Sequence, residues 1–229
     1  LIPIETKTTL DLDFFVIPEM LKDLGYINGH FGKWHLGDIG FHPENSGFDV
    51  NIGGNKHGGP GSYFAPYPYV KLEDETKGEY LTDRIGDEVV KFIDINKENN
   101  FFAYVPFFSV HTPIQSKTDY QKKYRNKDSN EYHNRADYAG MIQSLDENVG
   151  KIIDKIDALN LSENTLIIFT SDNGGIRAIS DQYPLRAGKG SYYEGGIRVP
   201  LIFSWKGKID AESESYERVS NVDFYPTIK

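Results

Sequence analysis

Several short segments of this sequence carry residues able to do chemistry. Lys33 and His35 lie two apart in Gly32-Lys33-Trp34-His35-Leu36-Gly37. If that stretch is extended, both side chains point to one side of the chain. A lysine beside a histidine suits an anion clamp with an attached general acid or base; the competing reading is a surface loop anchored by Trp34. His111 ends an apolar run and precedes Thr112-Pro113, where it either caps a strand end or meets a ligand. Asp172-Asn173 offers one anionic and one neutral hard oxygen donor, half of a Ca2+ or Mg2+ site and a poor site for a soft metal. Asp-Asn-Gly-Gly is also good turn chemistry. Lys189, in Arg186-Ala187-Gly188-Lys189-Gly190-Ser191, has flanking glycines that permit close approach to a ligand or simply make a flexible loop. Glu194 and Arg198 suit an internal ion pair that shapes their loop. His57, within Gly53-Gly54-Asn55-Lys56-His57-Gly58-Gly59, is a candidate substrate contact. His30, His42 and His133 have no distinctive spacing.

Elements must hold these groups. Residues 9–24 read as a helix, with Leu12, Phe15, Val16, Met20 and Leu24 at three- and four-residue steps and Gly25 as a stop. Pro18 either kinks that helix or marks its true first turn. Residues 26–31 suit a short strand leading into the Lys33 loop. Residues 37–77 are rich in Gly, Pro, Asn and aromatics, as expected of an ordered, substrate-facing excursion. Residues 80–95 form a second helix with Leu81, Ile85, Val89, Phe92 and Ile93 on one face. The apolar run at 101–110 predicts a strand buried on both faces. Residues 137–159 predict a long helix with the stripe Tyr138, Met141, Leu145, Val149, Ile152, Ile156 and Leu159. Residues 165–170 and 199–204 are further strands. Alternating strands and helices give an α/β fold, a mostly parallel sheet sandwiched by helices. In such sheets ligands bind where loops leave the carboxyl ends of strands, and the clusters at Lys33–His35, His111 and Asp172–Asn173 all fall there.

Composition narrows the partners. The 229 residues are 38% hydrophobic and 14% aromatic, enough for a well-filled core. A net charge of −9 and a pI near 5.2 argue against a nucleic-acid or anionic-membrane surface, while a local group of lysines and histidines can still hold a small anion. There are no cysteines, so disulfides, thiolate metal sites and cysteine nucleophiles are excluded within these residues. No run approaches the ~20 apolar residues that span a bilayer. Leu1-Ile2-Pro3-Ile4 has neither the basic nor the apolar region of a signal peptide, and the sequence reads as a mature or excised piece.

Together these segments resemble the sulfatase family, in order as well as content. The carrying blocks are Gly25-Tyr26 with Gly32-Lys33-Trp34-His35-Leu36-Gly37, Val110-His111-Thr112-Pro113, Ser171-Asp172-Asn173-Gly174-Gly175, Gly188-Lys189-Gly190 with Glu194-Gly195-Gly196, and Asp223-Phe224-Tyr225-Pro226-Thr227. The resemblance implies an alkaline-phosphatase-like fold, incomplete at both ends, with residues 1–229 a partial catalytic domain. It implies hydrolysis of sulfate esters by a formylglycine nucleophile, expected upstream of residue 1, whose hydrated aldehyde attacks sulfur and later releases sulfate. Asp172 and Asn173 would ligate one divalent metal, Ca2+ or else Mg2+. Lys33 and Lys189 would hold sulfate oxygens, His35 would assist the formylglycine hydroxyls, and His111 would contact sulfate and protonate the leaving oxygen. Asn173, where two-metal phosphoryl-transfer relatives carry histidine, points to the one-metal arrangement.

This sequence departs from the family in having no cysteine and no serine in a Ser-x-Pro-Ser-Arg or Ser-x-Ala-Ser-Arg context. It contains no nucleophile of that kind, and the chain alone is expected to be inactive. The alternatives are a non-catalytic relative that binds sulfated glycans, or a phosphoryl-transfer enzyme of the same superfamily. The expected partner is a sulfated small molecule or glycan, with residues 53–69 resembling the loop of carbohydrate sulfatases, and the expected location is periplasmic or secreted.

Overall fold

The computed structural model describes residues 7–73, 75–128 and 134–229, which leaves His133 outside the described residues. In chain order its elements are α1 (Ile17–Asp23), β1 (Ile27–Phe31), β2 (Val50–Ile52), α2 (Leu81–Ile95), β3 (Phe101–Tyr104), α3 (Thr118–Arg125), α4 (Ala136–Ala158), β4 (Ile167–Thr170), α5 (Glu194–Ile197), β5 (Leu201–Ser204) and α6 (Phe224–Ile228). Two compact units result. The first comprises Leu1–Gln115, Ser144–Lys155 and Tyr216–Lys229; the second comprises Ser116–Gln143 and Ile156–Ser215. No helix among the described residues is long and apolar enough to cross a membrane.

In the first unit β1 lies between β2 and β3 in a parallel sheet, with Gly29 opposite both Val50 and Ala103. Alternation along β1 divides its neighbours. Phe31 packs against Phe92 of α2, ring centroids 5.2 Å apart, while His30 meets Trp34 and Phe48. The face of α2 reads as its periodicity predicts, for Leu81, Ile85, Val89, Phe92 and Ile93 are all buried. At Gly86 an added Cβ would collide with Asn148 Oδ1 of α4. That close approach explains why Ser144 and Asn148 of α4 are fully buried, whereas Leu145, Val149 and Ile152 of the expected stripe are only partly covered.

Two expectations are corrected here. The first helix begins at Ile17, not at residue 9, because Pro18 occupies its first turn, where its missing N–H costs nothing. Glu19 Oε2 accepts the Val16 N–H at 2.9 Å and fixes that start. Leu12 and Phe15, assigned to the helix by spacing, are exposed. The strand expected at 101–110 stops at Tyr104, ahead of Pro106. It borders the sheet among the described residues and is half-exposed, so it is not buried on both faces.

In the second unit β4 and β5 pair antiparallel, Ile167 opposite Ser204 and Thr170 opposite Leu201. Among the strand pairs of the described residues, this one departs from the parallel direction that dominates the expected sheet. Only the single turn α5 separates the strands as helix, and without a crossover helix the chain returns antiparallel.

Candidate active site

Lys33 sits just beyond the carboxyl end of the central strand. Gly32 N–H donates to Ile52 O at 2.8 Å and Lys33 N–H to Pro106 O at 2.8 Å, so the ends of β2 and β3 clamp the loop from both sides. Gly32 has φ 126°, and a Cβ there would strike Pro106 O; only glycine lets the strand turn here. Trp34 is buried and its Nε1 donates to Phe41 O at 2.7 Å. The loop is therefore anchored as one of the two sequence readings held. The extended geometry is not adopted, since His35 has φ 60°. His35 is exposed, Lys33 half-buried.

His111 follows the turn after β3. Its N–H donates to Phe108 O at 2.8 Å. The fully buried Tyr63 hydroxyl is hydrogen-bonded to both Phe108 O, at 2.6 Å, and His111 O, at 3.0 Å. Burial pushes the Tyr63 phenol well above its usual range, so it stays a neutral donor. Nδ1 of His111 lies 2.9 Å from Thr112 O.

Two consecutive glycines seat both histidines. A Cβ on Gly58 would lie 2.6 Å from His35 Cε1, and one on Gly59 would lie 3.3 Å from His111 Nδ1. Loops leaving β1 and β3 thus converge on one short stretch of backbone. Asn55 positions it: its carbonyl accepts from His35 N–H at 2.9 Å, Oδ1 accepts from His57 N–H at 2.8 Å, and Nδ2 donates to Tyr69 O at 2.9 Å. His57 stacks on Tyr69, 4.7 Å between centroids. An open pocket of about 360 Å3 lies here, lined by His57, Gly58, Gly59, Tyr69, Thr112 and Pro113.

His30, on β1 beneath the Lys33 loop, is fully buried. Burial pushes its pKa down to about 4. Its ring nitrogens meet no partner at ordinary hydrogen-bond geometry among the described residues, and weaker polar contacts with the Lys33 backbone and Asn51 offset little of that cost.

In the second unit three glycine-bearing segments interlock. Gly174 N–H donates to Gly196 O at 2.9 Å, Lys189 N–H to Gly175 O at 2.9 Å, and Gly195 N–H to Arg186 O at 2.9 Å. A Cβ on Gly174 would strike Gly195 O, one on Gly195 Ala187 O, and one on Gly196 Ser191 O. The separate motifs around Asp172, Lys189 and Glu194 are therefore one packed knot beyond β4. Glu194 pairs with Arg198 at 3.3 Å, as expected of a loop-shaping ion pair. Lys189 and Asp172 are exposed and Asn173 is half-buried.

Asp172 and Asn173 fit part of a hard-cation site. Asn173 Nδ2 donates to Gly174 O at 3.0 Å, and no hydrogen bond engages the Asp172 carboxylate or Asn173 Oδ1 among the described residues. Two oxygens fall short of the six or more that Ca2+ takes. Among the described residues no three His, Cys, Asp or Glu side chains cluster to hold a metal.

Sequence reasoning missed Asn55, Tyr63 and Tyr69. The signals for them were the aromatic-rich character of residues 37–77, the resemblance of residues 53–69 to carbohydrate-sulfatase loops, and the Asn55–Gly59 run around His57.

Comparison with known proteins agrees with this fold. The family model described as Sulfatase matches residues 4–229. A sulfatase of Formosa agariphila is 33% identical, the match covering 100% of this chain and 51% of that protein. The N-acetylgalactosamine-6-sulfatase of Canis lupus familiaris is 31% identical over 93% of this chain and 44% of its own length. The crystal structure of Ps i-CgsB in complex with k-i-k-neocarrahexaose is 33% identical with a TM-score of 0.82, covering 97% of this chain and 54% of that one. This chain belongs to the sulfatase family. It spans about half the length of the relatives it matches.

Proposed function

We propose that this chain is part of the catalytic domain of a sulfuric ester hydrolase acting on sulfated carbohydrate. The observation that carries the reading is the seat at Gly58–Gly59, which gathers His35 and His111 beside an open pocket at the strand ends. The carbohydrate assignment draws support from the N-acetylgalactosamine-6-sulfatase and the neocarrahexaose complex among its relatives.

In this reading Lys33 and Lys189 hold sulfate oxygens, where fixed positive charge stabilises the charge that develops in the transition state. His35 takes a proton from the attacking group. His111 gives one to the departing sugar oxygen. Asp172 and Asn173 contribute ligands to a Ca2+ ion, or Mg2+ in its place, completed by residues beyond this sequence. The bound metal would neutralise charge on sulfate and on the nucleophile. A formylglycine would supply the attacking oxygen, and it too lies outside a sequence without Cys or the matching Ser motif. We assign the protein to the periplasm or the exterior, where sulfated polysaccharide is met.

A second reading is a glycan-binding relative without activity, in which the same lysines and histidines hold a sulfated glycan without cleaving it. Sulfate release from a sulfated galacto-oligosaccharide separates the two. The protein that carries this chain together with a formylglycine is expected to release sulfate, and Lys33→Ala or His111→Ala to lose about 100-fold or more in kcat/KM. The 229 residues alone should show no turnover. No release by the longer protein supports the binding reading.

A further inference from the structure

We propose that the Tyr69–His57 stack is the wall of a saccharide subsite that seats a sugar ring of the substrate beside the sulfated position. This rests on the reading that the substrate is a sulfated carbohydrate and adds where its sugar is held. Tyr69 is 49% exposed although it is a large aromatic. It is held firmly all the same: His57 lies nearly parallel to it, at 17°, and Asn55 binds the backbone of both residues. A rigid, half-open aromatic ring presents an apolar face to the C–H groups of a pyranose without further ordering cost.

The rest of the pocket suits the same ligand. Besides the two rings its lining is Gly58, Gly59 and Gly61, which add no side-chain bulk, and Thr112 and Pro113. Gly61 has φ 72°, and a Cβ there would lie 2.7 Å from Tyr69 Cδ2, so that glycine makes room for the ring. Polar groups belong to the same lining. The His57 ring nitrogens make no hydrogen bond among the described residues, and Thr112 is exposed with its hydroxyl 3.4 Å from His111 Nδ1. An open hollow of about 360 Å3 is at the small end for ligand sites and has room for a sugar ring. Because the Asn55 carbonyl also accepts from His35 N–H, the wall and the proposed proton-accepting histidine are set by one residue. Asn55 is a positioning residue, and Tyr69 a specificity determinant.

The test uses the 229-residue chain and three probes in calorimetric titration: inorganic sulfate, a sulfated galactan hexasaccharide, and the same hexasaccharide desulfated. Tyr69→Ala is expected to weaken both hexasaccharides roughly tenfold and leave inorganic sulfate unchanged, with Tyr69→Phe retaining wild-type affinity. Tyr69→Leu keeps apolar bulk without the ring and carries the test if circular dichroism shows that Tyr69→Ala is misfolded. Unchanged hexasaccharide affinity in these variants overturns the proposal. So does an equal loss for all three probes, which would mark Tyr69 as structural. If the wild-type chain binds inorganic sulfate but neither hexasaccharide, the subsite falls while the sulfate reading stands. Binding of the desulfated probe without sulfate binding would retain the subsite and overturn the sulfate reading.

Discussion

Single residues carry two consequences that can be measured. His30 is buried with a pKa near 4 against an ordinary value of 6.5. Between those values the unfolded chain takes up a proton that the folded chain refuses, so stability falls as pH drops from 6.5 to 4 and this contribution then levels off. The shift corresponds to about 3 kcal/mol. Urea unfolding across pH 7 to 4 should show that decline, and His30→Leu should flatten it. Tyr63→Phe removes the two hydrogen bonds that hold the His111 turn and should cost about 1–3 kcal/mol in the same assay. The sequence singled out Lys33, His35, His111, Asp172, Asn173 and Lys189 because glycines and strand ends flank them. Asn55, Tyr63 and Tyr69 were not singled out. Their work is done through partners far along the chain, such as Phe108 for Tyr63, and no local spacing encodes such contacts.

At the scale of elements, periodicity read the amphipathic helices well and failed where one residue overruled it. The α2 face follows its three- and four-residue steps, whereas Pro18 cuts the first helix to Ile17–Asp23. In α4 the buried line shifts to Ser144 and Asn148 because Gly86 brings α2 close, a contact that neither helix announces by itself. Replacing a mid-helix glycine by alanine ordinarily stabilises by about 1 kcal/mol. Here the new Cβ meets Asn148 Oδ1, so Gly86→Ala should lower the melting temperature instead. Combining it with Asn148→Ser should recover part of the loss, a non-additivity that thermal unfolding can resolve. The glycine knot of the second unit joins motifs that looked weak one at a time, because Gly174, Gly188, Gly195 and Gly196 each leave space for a carbonyl of another part of the knot.

At the scale of the whole molecule, the α/β class was legible from alternating strands and helices, and the antiparallel β4–β5 pair was not, since pairing direction depends on what fills the connection. The outer edge of β3 has no ladder partner among the described residues, and exposed strand edges recruit other chains. Sedimentation of the 229-residue chain should therefore show association that grows with concentration, where a clean monomer would contradict it. The central claim is that these residues recognise a sulfated carbohydrate through fixed cations. Calorimetric titration with a sulfated galactan hexasaccharide and its desulfated form, in the presence of Ca2+, tests it most directly. The account predicts tighter binding of the sulfated form by about tenfold or more, lost in Lys33→Ala and Lys189→Ala; equal affinity for the two forms, or no effect of either lysine, would contradict it.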